Sequence, residues 1–176
     1  IANPSNTQLY TVTYTVNGCT SIPDSVLVSV IQGISASVNN VTICNGQSAT
    51  LTALPNNATY NWSNGETTSS IIVNPNSSTN YSVTVSAPGC PSSTDTATVT
   101  VNPIPSVSVA NVAAICNGSS ATLTATPSAP GGTYLWSNGL SGNTISVTPP
   151  LNNPTVAQNF NYSVVYTLNG CPSIAD

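Results

Sequence analysis

The sequence predicts an all-β chain, a tandem array of small two-layer sandwiches of about six to seven strands each. Three observations point there. Apolar residues alternate with polar ones at a period of two, and no stretch carries helical spacing. Asn-Gly pairs at 45–46, 64–65, 117–118 and 138–139 supply the positive-φ turns that tight hairpins need. Finally, the chain repeats itself: ICNGQSATLTA (43–53) returns as ICNGSSATLTA (115–125), YNWSNG (60–65) as YLWSNG (134–139), and NYSVTV (80–85) as NYSVVY (161–166), with LYTVTY (9–14) an earlier relative.

These echoes set the domain organisation. The expected division is the C-terminal part of one repeat at 1–32, a complete repeat at 33–103 and a nearly complete one at 104–176 that lacks most of its last strand. A turn and a cysteine close each unit, NGC at 17–19, PGC at 88–90 and NGC at 169–171. The junctions IQG (31–33) and NPIP (102–105) are short, and two prolines stiffen the second. Strand candidates in the middle unit are 35–43, 48–54, 58–63, 69–74, 80–86 and 95–102. Prolines keep to turns and junctions, because a proline cannot donate to a sheet ladder.

Comparison between repeats picks out the inward faces. Ile71 and Val73 correspond to Ile145 and Val147, whereas Ile72 corresponds to Ser146, so the first pair points inward. Tyr81, Val83 and Val85 match Tyr162, Val164 and Tyr166. Ala97, Val99 and Val101 match Val26, Val28 and Val30, again on an inward face. Trp62 and Trp136 share the strand face of Tyr60 and Tyr134 and are expected in the core rather than on a sugar. Tyr10, Tyr81 and Tyr162 are expected as core anchors whose hydroxyls reach a sandwich end.

Composition removes most chemistry. The chain has no Lys, Arg or His, and its charged side chains are Asp24, Glu66, Asp95 and Asp176. A Ser or Cys nucleophile has no evident base, and the acids stand far apart in sequence. No cysteine cluster or acidic loop suits zinc or calcium, so no cofactor is expected. Without a cation, nucleic-acid binding would forgo its dominant phosphate term. A Lys–Asn isopeptide crosslink is excluded with lysine. No apolar run reaches the roughly 20 residues of a spanning helix, so direct membrane insertion is not expected. The chain is not expected to be an enzyme.

Five cysteines fit the repeats if each complete unit holds two. Counting six alternating strands places Cys44, after the first, and Cys90, after the fifth, at one pole. The expected bridges are therefore Cys44–Cys90 and Cys116–Cys171, with Cys19 paired to a residue outside the sequence. The alternative is buried free thiols. Bridges would imply an oxidising, extracellular compartment.

The ordered set ICNGQSATLTA, YNWSNG, TNYSVTVSAPGC and TDTATVTVNPIP resembles the Ig-like and PKD-like repeats of giant Bacteroidetes surface proteins, among them gliding-motility adhesins and other cargo of the type IX secretion system. The resemblance implies immunoglobulin-like β-sandwiches and a stalk or adhesive filament at the bacterial cell surface. Trp62 and Trp136 are followed by Ser-Asn-Gly, where PKD domains usually carry an acidic turn. Asp24, Asp95 and Asp176 each lie five residues after a closing cysteine. Asp24-Ser25-Val26 and Asp95-Thr96-Ala97 resemble the O-glycosylation signal of secreted proteins of that group, which makes Ser25 and Thr96 glycan candidates. The plainer alternative is an aspartate that caps a turn as the last strand opens. Seven Asn-x-Ser/Thr sequons are read as a product of composition.

The function expected is a disulfide-locked, semi-rigid spacer in a secreted surface adhesin. Its partners would be neighbouring repeats of the same chain, and beyond them other copies in a filament or surface glycans. The alternatives are a glycan- or protein-binding module acting through the enlarged loops 126–133 and 148–160, or an accessory stalk of a secreted hydrolase.

Overall fold

The computed structural model describes residues 1–150 and 158–176, and within them it holds strands and turns but no helix. Contacts gather the chain into two compact units. One comprises Ile1–Val41, Thr50–Val73 and Asn80–Thr98, and the other Thr42–Ala49, Asn74–Thr79 and Val99–Asp176, so the stretch 33–103 contributes to both.

At the N-terminal end β1 (Gln8–Val12) pairs antiparallel with β4 (Asp24–Val28), Tyr10 opposite Val26. Between them β2 (Thr15–Val16) and β3 (Cys19–Thr20) form a hairpin on Asn17 and Gly18, whose φ angles of 49° and 81° suit an Asn-Gly turn. Leu9, Val12, Val26 and Leu27 are all exposed. The inward position expected for Val26 is thus corrected. The residue is 61% exposed, because among the described residues no second sheet covers this ribbon.

Residues 37–102 form β5 (Ser37–Val38), β6 (Val41–Cys44), β7 (Ala49–Leu54), β8 (Thr59–Trp62), β9 (Ser70–Val73), β10 (Thr79–Ser86) and β11 (Ser93–Asn102). They make two sheets, in the orders β5-β7-β9 and β6-β11-β10-β8. Alternation sets the faces: Leu51 and Ala53 are fully buried while Thr50 and Thr52 between and beside them are exposed. Ile71 and Val73 are buried and Ile72 is 75% exposed, as the repeat comparison anticipates.

The first strand expected at 35–43 divides between the two sheets. Asn39 and Asn40 make the switch possible by replacing ladder bonds with side-chain bonds. Asn39 accepts from Thr52 N–H through Oδ1 and donates to Thr50 O, while Asn40 Oδ1 accepts from Thr98 N–H.

Residues 107–172 repeat the plan with β12 (Val107–Val109), β13 (Ala121–Pro127), β14 (Thr133–Trp136), β15 (Thr144–Val147), β16 (Val164–Leu168) and β17 (Cys171–Pro172). Their sheets run β12-β13-β15 and β14-β16-β17. Leu123, Trp136, Ile145, Val147, Val164 and Tyr166 are among the residues of their common core. Residues 113–116, the counterparts of β6, form no strand, and Ile115 is exposed where Ile43 is buried. In the middle stretch that strand lies on the ten-residue β11; here β17, in the corresponding place, spans only Cys171–Pro172.

Strand directions overturn the expected disulfides. Ala36 N–H reaches Ser93 Oγ, Val38 N–H reaches Asp95, Thr98 N–H reaches Asn40, and Asn45 N–H reaches Asn102 O. Partners climb together, so the first strand runs parallel to the last. Cys44 therefore ends beside Asn102, while Cys90 precedes β11 at its opposite end. Six alternating strands would instead have put both cysteines at one pole.

The missing reversal follows the tryptophan. Trp62 N–H bonds Glu66 O, and Ala53 N–H bonds Ser69 O. A short return at 66–68 therefore stands between β8 and β9. Trp136 to Leu140 and Ala125 to Asn143 repeat it. The bridge formed is Cys44–Cys171, with Cα atoms 5.6 Å apart, and not Cys44–Cys90 or Cys116–Cys171. Cys19, Cys90 and Cys116 are free thiols.

Candidate functional site

The surroundings of the Cys44–Cys171 bridge grow out of two local features. Cys44 closes β6, where Gln47 folds back so that its Oε1 accepts from Cys44 N–H. Cys171 follows an Asn-Gly turn whose residues Asn169 and Gly170 have φ angles of 51° and 80°, the pair of left-handed conformations that such a two-residue turn demands. Asn102 ties the two together: its carbonyl accepts from Asn45 N–H and its Nδ2 donates to Asn169 O at 3.2 Å. Both bridged cysteines are buried.

Two of the aspartates, Asp95 and Asp176, have a structural role that differs from the turn cap weighed in the sequence: each accepts from an amide of the first strand. Asp95 Oδ2 accepts from Val38 N–H at 2.8 Å, and its Oδ1 accepts from Thr96 N–H. Asp176 does the same for Val109, the counterpart of Val38, at 2.7 Å. Asp95 thus ties the first strand to the last just before the first changes sheets, and Asp176 ties the end of β12 to the segment after β17. Asp24 Oδ1 accepts from the N–H of its own neighbour Ser25. The glycan candidates Ser25 and Thr96 are exposed, and Ala97 beside Thr96 is fully buried.

Both tryptophans are core residues, 2% and 1% exposed. Their indole N–H groups donate to Thr68 O and Gly142 O, so the ring that fills the core also fixes the return segment after it. The tyrosine expectation holds in part. Tyr81 and Tyr162 are half-buried, but the hydroxyls that clasp a sandwich end belong to Tyr60, donating to Pro55 O, and to Tyr166, donating to Ala129 O. Tyr166 also accepts from Gly132 N–H at 2.7 Å. A side chain at Gly132 would collide with Thr167 O and the Tyr166 ring, so only glycine admits this close approach. The Tyr134 ring lies 4.8 Å from that of Tyr166. Desolvation, and then the neighbouring Tyr166, raise the Tyr134 pKa above its ordinary value.

Tyr166 thus anchors the enlarged loop 126–133 at Ala129 and Gly132, while Ser128, Pro130 and Gly131 stay exposed. The other, 148–160, falls largely on residues 151–157, which lie outside the described residues. A cleft of about 900 Å³ borders it, lined by Val112, Ile115, Leu123, Val147, Phe160 and Tyr162 among others. Among the described residues no three His, Cys, Asp or Glu side chains gather as metal ligands. No helix among them is long and apolar enough to cross a membrane.

Residues 104–175 match a family model described as "Ig-like domain CHU_C associated". No curated protein matches the sequence. Among solved structures, extracellular domains 3–5 of Drosophila OTK are 14% identical at a TM-score of 0.47, covering 95% of this chain and 68% of that one. Sidekick-1 immunoglobulin domains 1–4 are 12% identical at 0.41, covering 99% and 58%. Murine CEACAM1b is 12% identical at 0.40, covering 80% and 97%. With two antiparallel-rich sheets, a first strand that changes sheets and a buried tryptophan on β8 and β14, the fold is all-β and immunoglobulin-like, as the sequence predicts.

Proposed function

We propose that the chain is a spacer segment of a large secreted surface adhesin, with Ig-like repeats at 1–32, 33–103 and 104–176 following one another along a stalk. The observation that supports this reading is the Cys44–Cys171 bond: with the repeats divided as proposed, it fixes one repeat to the next covalently. A binding module has no need of a locked junction, whereas a spacer that must hold a distal tip away from the cell does. The bacterial surface, type IX secretion and gliding motility come to this reading from the sequence resemblance. A disulfide and an almost uncharged surface suit an extracellular setting.

O-glycans on Thr96 and Ser25 belong to the same proposal. Both side chains are exposed, and a glycan would solvate a surface that carries only four charged side chains. Mass spectrometry of the native protein should find both modified; unmodified Thr96 and Ser25 would remove this part.

Excision of residues 33–103 from the full adhesin tests the spacer itself. The longest strand of that stretch has ten residues, so one sandwich adds roughly 34 Å along a stalk. The reach of the tip measured by electron microscopy should shorten by about that length, with ligand affinity unchanged. Loss of ligand binding by the shortened protein, together with direct glycan or protein binding by the 1–176 chain, would replace the spacer by a binding module.

A further inference from the structure

The cysteines fall into two kinds. Cys44 and Cys116 stand in the Ile-Cys-Asn-Gly motif that follows the first stretch of each repeat, Cys44 at the end of β6 and Cys116 at its strandless counterpart, whereas Cys19, Cys90 and Cys171 each close a turn, Asn-Gly-Cys or Pro-Gly-Cys. The bond observed joins one of each kind, taken from consecutive repeats. The earlier junction has the same layout with one member missing. Val30 corresponds to Val101, so Ile31 and Gln32 stand where Asn102 and Pro103 stand one repeat later. There the turn Pro88-Gly89-Cys90 takes the place of Asn169-Gly170-Cys171. Ile31 Cδ1 lies 2.8 Å from where a Cβ on Gly89 would be, and the Cys90 thiol donates to Gln32 O at 3.3 Å. Cys90 thus meets the segment that follows β4, as the turn before Cys171 meets Asn102 at the end of β11. Residues 1–32 hold no cysteine in the Ile-Cys-Asn-Gly motif to face it.

We infer that these cysteines form one staple per junction, each Ile-Cys-Asn-Gly cysteine bonding the turn cysteine of the repeat that follows it. Cys116 is the acceptor for a following repeat; Cys90 and Cys19 are acceptors for the Ile-Cys-Asn-Gly cysteines of preceding ones. Each staple forms by thiol–disulfide exchange with a small-molecule disulfide. One thiolate attacks it and releases a small thiol, and the second thiolate then displaces the other. Two protein thiols are oxidised to one S–S bond, and the oxidant is reduced to two small thiols that take up the two protons. The inference concerns how repeats are joined and stands whether the array is a spacer or carries binding sites.

The test appends residues Ser25–Asn102 after Asp176, so that Asp176 takes the place of Asp24 and the chain continues into one more sandwich. After oxidation with glutathione disulfide, free thiols are alkylated and the non-reduced digest is mapped by mass spectrometry. The expected peptides link Cys44 to Cys171 and Cys116 to the appended copy of Cys90. Cys116 accordingly changes from alkylated in the 1–176 chain to protected in the extended one. A bond between the appended copies of Cys44 and Cys90, or alkylated Cys116 in the extended chain, would overturn the inference. Cys171→Ser in the 1–176 chain provides a second readout. It should leave Cys44 alkylated, and a Cys44–Cys90 peptide there would equally refute the staple.

Discussion

Pulling the oxidised chain by its two ends should reveal how much of it the bridge hides. Cys44 and Cys171 are separated by 127 positions in sequence, and their Cα atoms stand 5.6 Å apart. At roughly 3.5 Å per extended residue, the closed bond withholds about 440 Å of contour length. Single-molecule force spectroscopy with and without a thiol reductant measures this directly. Reduced molecules should extend about 440 Å further than oxidised ones before detachment. The expected alternatives have their own signatures. A Cys44–Cys90 loop would hide roughly 160 Å and a Cys116–Cys171 loop roughly 190 Å. A gain near either figure, or near their sum of about 350 Å, would refute the assignment of Cys44 to Cys171. Equal lengths with and without reductant would refute any bridge.

Tyr166→Phe removes the hydroxyl that donates to Ala129 O and accepts from Gly132 N–H, leaving two backbone groups without their partner. The cost should be about 1–3 kcal/mol, read as a lower urea midpoint with an unchanged slope; a loss below about 0.5 kcal/mol would mean water replaces the phenol. Asp95→Ala strips acceptors from Val38 and Thr96 N–H and should cost about 1–2 kcal/mol. The Val38 amide should then exchange hydrogen faster while amides of β10 keep their protection, and unchanged exchange at Val38 would contradict the tie.

The sequence made the repeats, the tryptophans and the buried faces legible because each rests on a local signal. Period two with comparison between copies distinguishes Ile71 and Val73 from Ile72, and the burial pattern agrees. Strand polarity depends on a count, and the count failed at one place. The return at 66–68 is too short to display a period, and it is held by bonds from Trp62 to Glu66 O and Thr68 O that composition does not announce. One uncounted reversal sends Cys90 to the far end of β11 and changes every cysteine assignment that follows. The divided first strand was hidden for a similar reason. Asn39 and Asn40 fall inside the single strand expected at 35–43, while their work is to replace ladder bonds as the chain crosses between sheets. The aspartate signal was visible as a spacing, but its partner, Val38 or Val109, lies in another strand that no local pattern links to it.

Moving the bridge from within a sandwich to the link between two also changes what it stabilises. A staple inside a 70-residue sandwich would raise the stability of a small core, for which a few kcal/mol is a large share. Cys44–Cys171 leaves both sandwiches without an internal bridge, so packing around Trp62 and Trp136 must sustain each one. Reduction without denaturant should then leave the fluorescence and near-ultraviolet dichroism of the two buried indoles nearly unchanged. What it should release is the junction: Asn102 would lose the covalent support of its bond to Asn169, and proteolysis should appear at 102–105 in the reduced chain before any core signal is lost. Collapse of the indole signals on reduction would show that the bridge upholds a core after all. Intact cores with a cleavable junction would mean that these cysteines govern the stiffness of the array, a property that no single sandwich possesses.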